Sequence, residues 1–220
     1  MQRFTISVFI VFITFLTPAF GETVAGTVSM VTGEVSSVNT SGTRVLGIND
    51  PVFIQDNLVT KEGARVELSM KDGATLTLGG DASIIIEDYT FEDDQGNASL
   101  NLTRGAFRMI SGALKGVDGR GFSLRTPVAT IGIRGTDFWG GRLDGDFNFA
   151  LLNGKGIYVE NAAGRVEILQ IGFGTTVKSP NQRPSPPKKW SSAKVERALK
   201  TVLPPAEASN ASPETTNPDY

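Results

Sequence analysis

The sequence predicts an all-β fold: a single β-sandwich, jelly-roll-like or β-roll domain, followed by a Pro-rich C-terminal tail with one short helix. Three observations predict it. Between residues 24 and 178, short runs rich in Val, Ile, Leu and Thr alternate apolar and polar residues at period two. Turn signals separate these runs about every eight to twelve residues, and the 25 glycines of the 220-residue chain are spread among them. No apolar stripe at helical spacing runs for ten residues in that span.

Taken in order, the β pattern begins at Val24. Arg65 to Met70 alternates as a half-buried strand, Lys71-Asp72-Gly73 turns, and Ala74 to Leu78 returns, a hairpin with Asp-Gly at its apex. Ser83-Ile84-Ile85-Ile86-Glu87 is a continuous apolar run, the pattern of a strand buried on both faces. Ser99 to Thr103 alternates, Arg104-Gly105 turns, and Ala106 to Ile110 follows. Pro127 fits the first residue of a strand, where its missing N–H costs no ladder bond, and Val128, Thr130, Ile131 and Ile133 favour strand. Phe147 to Leu151 and Gly156 to Glu160 flank Asn153-Gly154, which predicts a hairpin. Arg165 to Leu169 and Gly174 to Val177 close a set of about a dozen strands, with no strict repeat to mark a regular solenoid.

The chain divides at composition changes. Residues 22–178 form the β-domain and 179–190 a Pro-rich, extended linker. Residues 191–203 form a short basic helix: Ser191 or Ser192 can cap it, and Val195, Leu199 and Val202 share one face. Residues 204–220 have the composition of a disordered tail. From Lys178 to Lys200 there are seven Lys/Arg against Glu196 alone. This basic segment reads as a solvated tail, with contact to an anionic partner as the alternative. At the other terminus, Met1-Gln2-Arg3, an apolar stretch from Phe4 to Leu16 and Pro18-Ala19-Phe20-Gly21 have the order of a cleaved signal peptide over 1–21. The apolar run falls short of the ~20 residues a spanning helix needs, and no later run approaches that length. The expectation is a periplasmic or secreted protein with no transmembrane segment in the mature chain.

Composition excludes several chemistries. The chain has neither cysteine nor histidine, which removes disulfides, thiol nucleophiles, Cys/His metal sites and the usual general base. A net charge of −2 gives no basic face for nucleic acid. Asp144-Gly145-Asp146-Phe147-Asn148 begins like a calcium loop, but Phe149 and Lys155 stand where Gly and Glu are needed, so a turn is the better reading. The acidic run Glu92 to Asn97 reads as an exposed turn. Gly112 to Gly116 and Gly119-Arg120-Gly121 lack the Gly-Lys-Ser/Thr context of a phosphate loop. No cofactor or metal is expected, and no catalytic set is evident.

The most specific stretch is Thr126-Pro127-Val128-Ala129-Thr130-Ile131-Gly132-Ile133-Arg134-Gly135-Thr136-Asp137-Phe138. It resembles the closing signature of the FecR family. Earlier pieces resemble that family's motifs in the same order: Gly26-Thr27-Val28 and Val31-Thr32-Gly33-Glu34-Val35 as its opening strand, Gly47 to Val52 with Asp56 to Thr60, Gly63 to Leu68 with Lys71 to Leu76, and Leu102 to Phe107. The resemblance spans roughly 26–140. It implies an all-β extracytoplasmic domain used in sensing and protein–protein contact, without catalysis, and hence an unidentified envelope protein as partner. The best-known members of the family are membrane-spanning regulators that act on a sigma factor. This chain departs from them in its cleavable signal and its lack of a spanning helix, so sigma-factor control is not carried over. A structural or carbohydrate-binding envelope protein is the alternative function.

Five residues are candidate structural or contact positions: Arg134, Gly135, Thr136, Asp137 and Trp190. Arg134 between two glycines can lock the corner by bonding backbone carbonyls or a carboxylate such as Asp137, or can meet a ligand or partner. Trp139 fits the core, and Trp190 is expected to be the more exposed tryptophan.

Overall fold

A computed structural model describes residues 22–114, 121–133 and 135–203. Within them the chain alternates between two nine-stranded sheets as it advances. Strand β1 (Val24–Thr32) lies in the first sheet, and after Gly33 the hairpin β2 (Val35–Asn39) and β3 (Gly42–Val45) lies in the second. β4 (Pro51–Phe53) returns to the first sheet and β5 (Asn57–Thr60) to the second. The first sheet then takes the hairpin β6 (Arg65–Met70) and β7 (Thr75–Leu78), and the second takes β8 (Ser83–Glu92) and β9 (Gln95–Arg104). β10 (Phe107–Ile110) joins the first, and β11 (Phe122–Arg125) with β12 (Thr130–Ile133) joins the second. β13 (Thr136–Leu143) and β14 (Asp146–Gly154) are again in the first, β15 (Ile157–Asn161) and β16 (Gly164–Ile168) in the second. β17 (Phe173–Val177) and β18 (Lys188–Lys189) end the first sheet, and one helix, α1 (Ser192–Lys200), follows.

Strand order follows chain order closely: β4-β1-β6-β7-β10-β13-β14-β17-β18 in one sheet and β3-β2-β5-β8-β9-β11-β12-β15-β16 in the other. Of the expected architectures, this progressive winding is that of a roll; a jelly roll would need long Greek-key returns. Pairing is antiparallel except between β9 and β11, where Phe122 to Arg125 run parallel to Ala98 to Asn101. That parallel step requires an intervening crossover, which β10 in the opposite sheet begins.

Side chains at alternate positions of both sheets meet in one apolar layer. Leu58, Ile84, Ile86, Leu100, Leu124 and Ile131 come from one sheet, and Val66, Leu68, Leu76, Phe107, Phe138 and Phe149 from the other. Phe107 and Phe138 meet edge to face at 5.5 Å between ring centroids. The predicted hairpin over 65–78 is present with Leu68 opposite Leu76. Asp144-Gly145 is a turn between β13 and β14, as expected.

Several expectations are corrected. Among the described residues there are eighteen strands, and 42–45, 51–53 and 122–125 are strands too short to show a pattern. The opening strand is two, in different sheets. Pro127 does not begin a strand: Thr126 closes a turn in which its amide and hydroxyl both donate to the Ala129 carbonyl, and β12 starts at Thr130. Asn153-Gly154 is not a hairpin, since β14 and β15 belong to different sheets; Arg104-Gly105 is likewise a change of sheet. Ile85 is half-buried, so β8 has one solvent-facing side. The signal peptide of 1–21, the tail of 204–220 and residues 115–120 of the glycine-rich loop lie outside the described residues.

The largest correction concerns 179–203. The Pro-rich segment is extended, but it lies against the β-domain and is no free linker. Thr175 Oγ1 donates to the Ser185 carbonyl at 2.6 Å, and β18 pairs with β17. Trp190 is 9% exposed, not the exposed contact expected. Its ring meets Trp139 at 6.0 Å, and Ala106, Ala150, Ala198 and Val202 complete a second apolar cluster. Helix α1 therefore covers the outer face of the first sheet as a strap. Ser191 caps it, its Oγ accepting the Lys194 amide. The Trp139 indole N–H donates to Thr201 Oγ1 at 3.0 Å, and Arg65 donates to the Lys200 carbonyl at the helix C-terminus. The floor under the strap is made of small residues: a Cβ at Gly79 would sit 2.3 Å from the Thr201 carbonyl oxygen.

Candidate functional site

The signature stretch turns from one sheet to the other. Gly135 makes the corner between β12 and β13 at φ +57°, a conformation that disfavours a side chain. Nothing lies within 4 Å of a Cβ built there, so the requirement is conformational and not steric. Gly135→Val is expected to cost about 1–3 kcal/mol, read as a lowered melting temperature; an unchanged one would show that the corner tolerates a β-branched residue.

Thr136 is 3% exposed and fully engaged. Its amide donates to Ser111 Oγ at 2.6 Å, and its hydroxyl donates to the Gly156 carbonyl at 2.8 Å. These bonds tie the β12–β13 corner to the end of β10 and to the β14–β15 crossover. Asp137 accepts two bonds from Arg108, Nε at 2.9 Å and Nη2 at 2.7 Å. The carboxylate thus serves the neighbouring strand β10. The bond to Asp137 raises the Arg108 pKa, outweighing the opposing effect of burial. Arg134 itself lies outside the described residues.

Beside this corner is a cavity of about 450 Å³. Ala74, Met109, Leu114, Phe122 and Ile133 give it an apolar floor, and Ser111, Gly135 and Lys155 form its rim. The wall is a buried polar pair, Asp72 and Tyr89. Asp72 is the apex of the predicted Asp-Gly turn, yet it is 7% exposed. Its Oδ1 accepts the Tyr89 hydroxyl at 2.6 Å and the Ala74 amide at 3.1 Å, and its Oδ2 accepts the Leu114 amide at 3.3 Å. The carboxylate therefore joins the β6–β7 turn, β8 and the segment after β10. Burial first, then the bond to Asp72 and its charge, push the Tyr89 pKa far above its ordinary value of 10.0.

The sign of the resulting pH dependence follows. A raised folded-state pKa gives a contribution fully present below about pH 10 and lost as pH climbs toward the raised value. Tyr89 should show no tyrosinate absorbance in the native protein at pH 11, ionising only as the protein unfolds in alkali. Tyr89→Phe should remove that coupling and cost about 1–2 kcal/mol at neutral pH.

The other sequence candidates resolve as structure. Asp144 pairs with Arg197 on α1 through both oxygens, so it holds the strap. Among the described residues no group of three Asp or Glu is placed to hold a metal ion. Sequence reasoning read Asp72 only as a turn former and did not single out Tyr89, Ser111 or Lys155. No local pattern marks them, because they meet only through the fold.

Comparison with known proteins places these features. The family model described as "FecR protein" matches residues 56–156, which contain the cavity wall, the corner and Lys155. Two crystal structures of a candidate anti-sigma factor from Parabacteroides distasonis share the fold, each at 16% identity over 65% of this chain. Their TM-scores are 0.51 and 0.52, and the match spans 64% and 63% of those chains, under two thirds of their length. None of the curated proteins compared with this chain matches it.

Proposed function

Given that the chain carries a FecR domain over residues 56–156, we propose that it is a non-catalytic binding and signalling-accessory module of the bacterial cell envelope. The family match carries this reading, and the ordered motifs from Asp56 to Phe138 support it residue by residue. In the described site, Thr136, Asp137, Asp72 and Tyr89 are each committed to hydrogen bonds that hold strands together. Such a site presents a rigid surface and leaves no carboxylate paired for acid–base work. The signal-peptide order of residues 1–21 supports a place in the periplasm or exterior and a partner among the proteins found there. Among the described residues no helix is long and apolar enough to cross a membrane.

The exposed shoulder of the signature corner, Asn153 to Lys155, is the place to test for that partner. A photo-crosslinking residue at Asn153, in cells expressing the full chain, should trap one envelope protein repeatedly. The same residue at Thr43, on the edge strand at the far end of the second sheet, should not trap it. Absence of any discrete crosslinked species at Asn153 would count against a protein partner for this face.

A further inference from the structure

We propose that the cavity beside the signature corner binds a small amphiphile with an apolar body and a single anionic head. The inference goes beyond the partner-binding role and does not depend on it. Its basis is the division of polar groups around the cavity. Among the described residues Asp72 is the only carboxylate in the wall, and both its oxygens accept bonds, from the Tyr89 hydroxyl and from the amides of Ala74 and Leu114. The Tyr89 hydroxyl spends its proton on that bond. Neither group has a hydrogen left to donate to a ligand.

The rim differs. Lys155 is exposed and presents an ammonium there. Ser111 Oγ accepts the Thr136 amide, and among the described residues its own hydroxyl hydrogen has no acceptor. Among the described residues, the polar side chains still available at the mouth are therefore donors, one of them cationic, above a floor of Met109, Phe122 and Ile133. An acceptor-headed chain satisfies both: its body covers apolar surface and its head meets Lys155 and Ser111. A volume of about 450 Å³ lies within the ~300–1,000 Å³ of small-molecule sites. A cationic head would meet Lys155 with like charge, and a neutral alcohol would gain only the apolar term.

The test uses decanoate, decyl phosphate, decanol and decyltrimethylammonium, each below its micelle concentration, titrated into the mature chain. Methyl resonances of Met109, Ile133 and Ala74 report occupancy. Decanoate should shift all three saturably, and more tightly than decanol or the ammonium compound. Lys155→Glu, a change at an exposed residue, should weaken decanoate binding about fivefold or more and leave the melting temperature unaltered. Met109→Phe, which fills the floor, should abolish the saturable shifts. Decyl phosphate separates head chemistry: binding as tight as decanoate's indicates selection for charge, and weaker binding indicates selection for a carboxylate. Equal affinity for all four compounds, no saturable shift with either anion, or full decanoate affinity in Lys155→Glu would each overturn the proposal.

Discussion

Asp56→Ala should lower stability by about 3 kcal/mol or more and the melting temperature by about 6–12 °C. Asp56 is fully buried at the N-terminal end of the sandwich. Its carboxylate accepts the Asn39 side-chain amide at 2.8 Å, Arg44 Nη2 at 3.0 Å and the Phe53 amide at 3.0 Å. One carboxylate thus joins the β2–β3 hairpin of the second sheet to β4 of the first. Removing it strands the Phe53 amide and leaves Arg44 without its counter-charge. Arg44 is 35% exposed and lies over the Phe53 ring, so water offsets part of the loss. That sets the estimate at the lower end of the ~3–5 kcal/mol seen when a buried pair loses one partner. Replacing both residues by leucine should cost less than Asp56→Ala, because no charge is then left unmatched. If the single variant melts within about 2 °C of the parent, the carboxylate is not what closes this end.

The second large effect is expected at Trp190. Trp190→Ala should remove about 3–5 kcal/mol of packing from the strap. The ring lies against Gly174, where a Cβ would come within 2.5 Å of it, and meets Trp139 edge to face. Lys194 Nζ stands 4.2 Å over its centroid. The loss falls on 188–203 before the sandwich, because the inter-sheet core contains neither tryptophan. Amide exchange should therefore rise across 188–203 while β6, β7 and β13 stay protected. With two tryptophans in the chain, the remaining emission reports Trp139 alone, and it should shift to the red as its cover is lost. Retained protection over α1 would show that Arg197–Asp144 and Arg65 hold the strap without the ring.

These outcomes track what a sequence can and cannot reveal. Arg65 to Leu78 was legible because alternation and an Asp-Gly turn act within one hairpin. The capping of α1 by Ser191 was legible for the same local reason. Asn153-Gly154 misled because a turn dipeptide fixes a reversal, not which sheet receives the next strand; here the chain passes to the opposite sheet. Trp190 misled because its neighbours, Pro-rich and basic, are those of a solvated segment, while its partner Trp139 lies far away in the chain. Asp137 stood out in the signature, but its partner Arg108 is set by the register of β10 on β13, which no local pattern encodes. The Asp72–Tyr89 pair was invisible for that reason too. Where contacts were local, residues sufficed; where they cross between sheets, only topology supplies them.

The central claim is that this chain works as a folded β-module outside the cytoplasm. Osmotic-shock fractionation of cells making the full chain, with mass spectrometry of the recovered N-terminus, tests it most directly. The account predicts release with the periplasmic fraction and a chain beginning at or near Glu22. Recovery in the cytosol with Met1 to Gly21 still attached would contradict it.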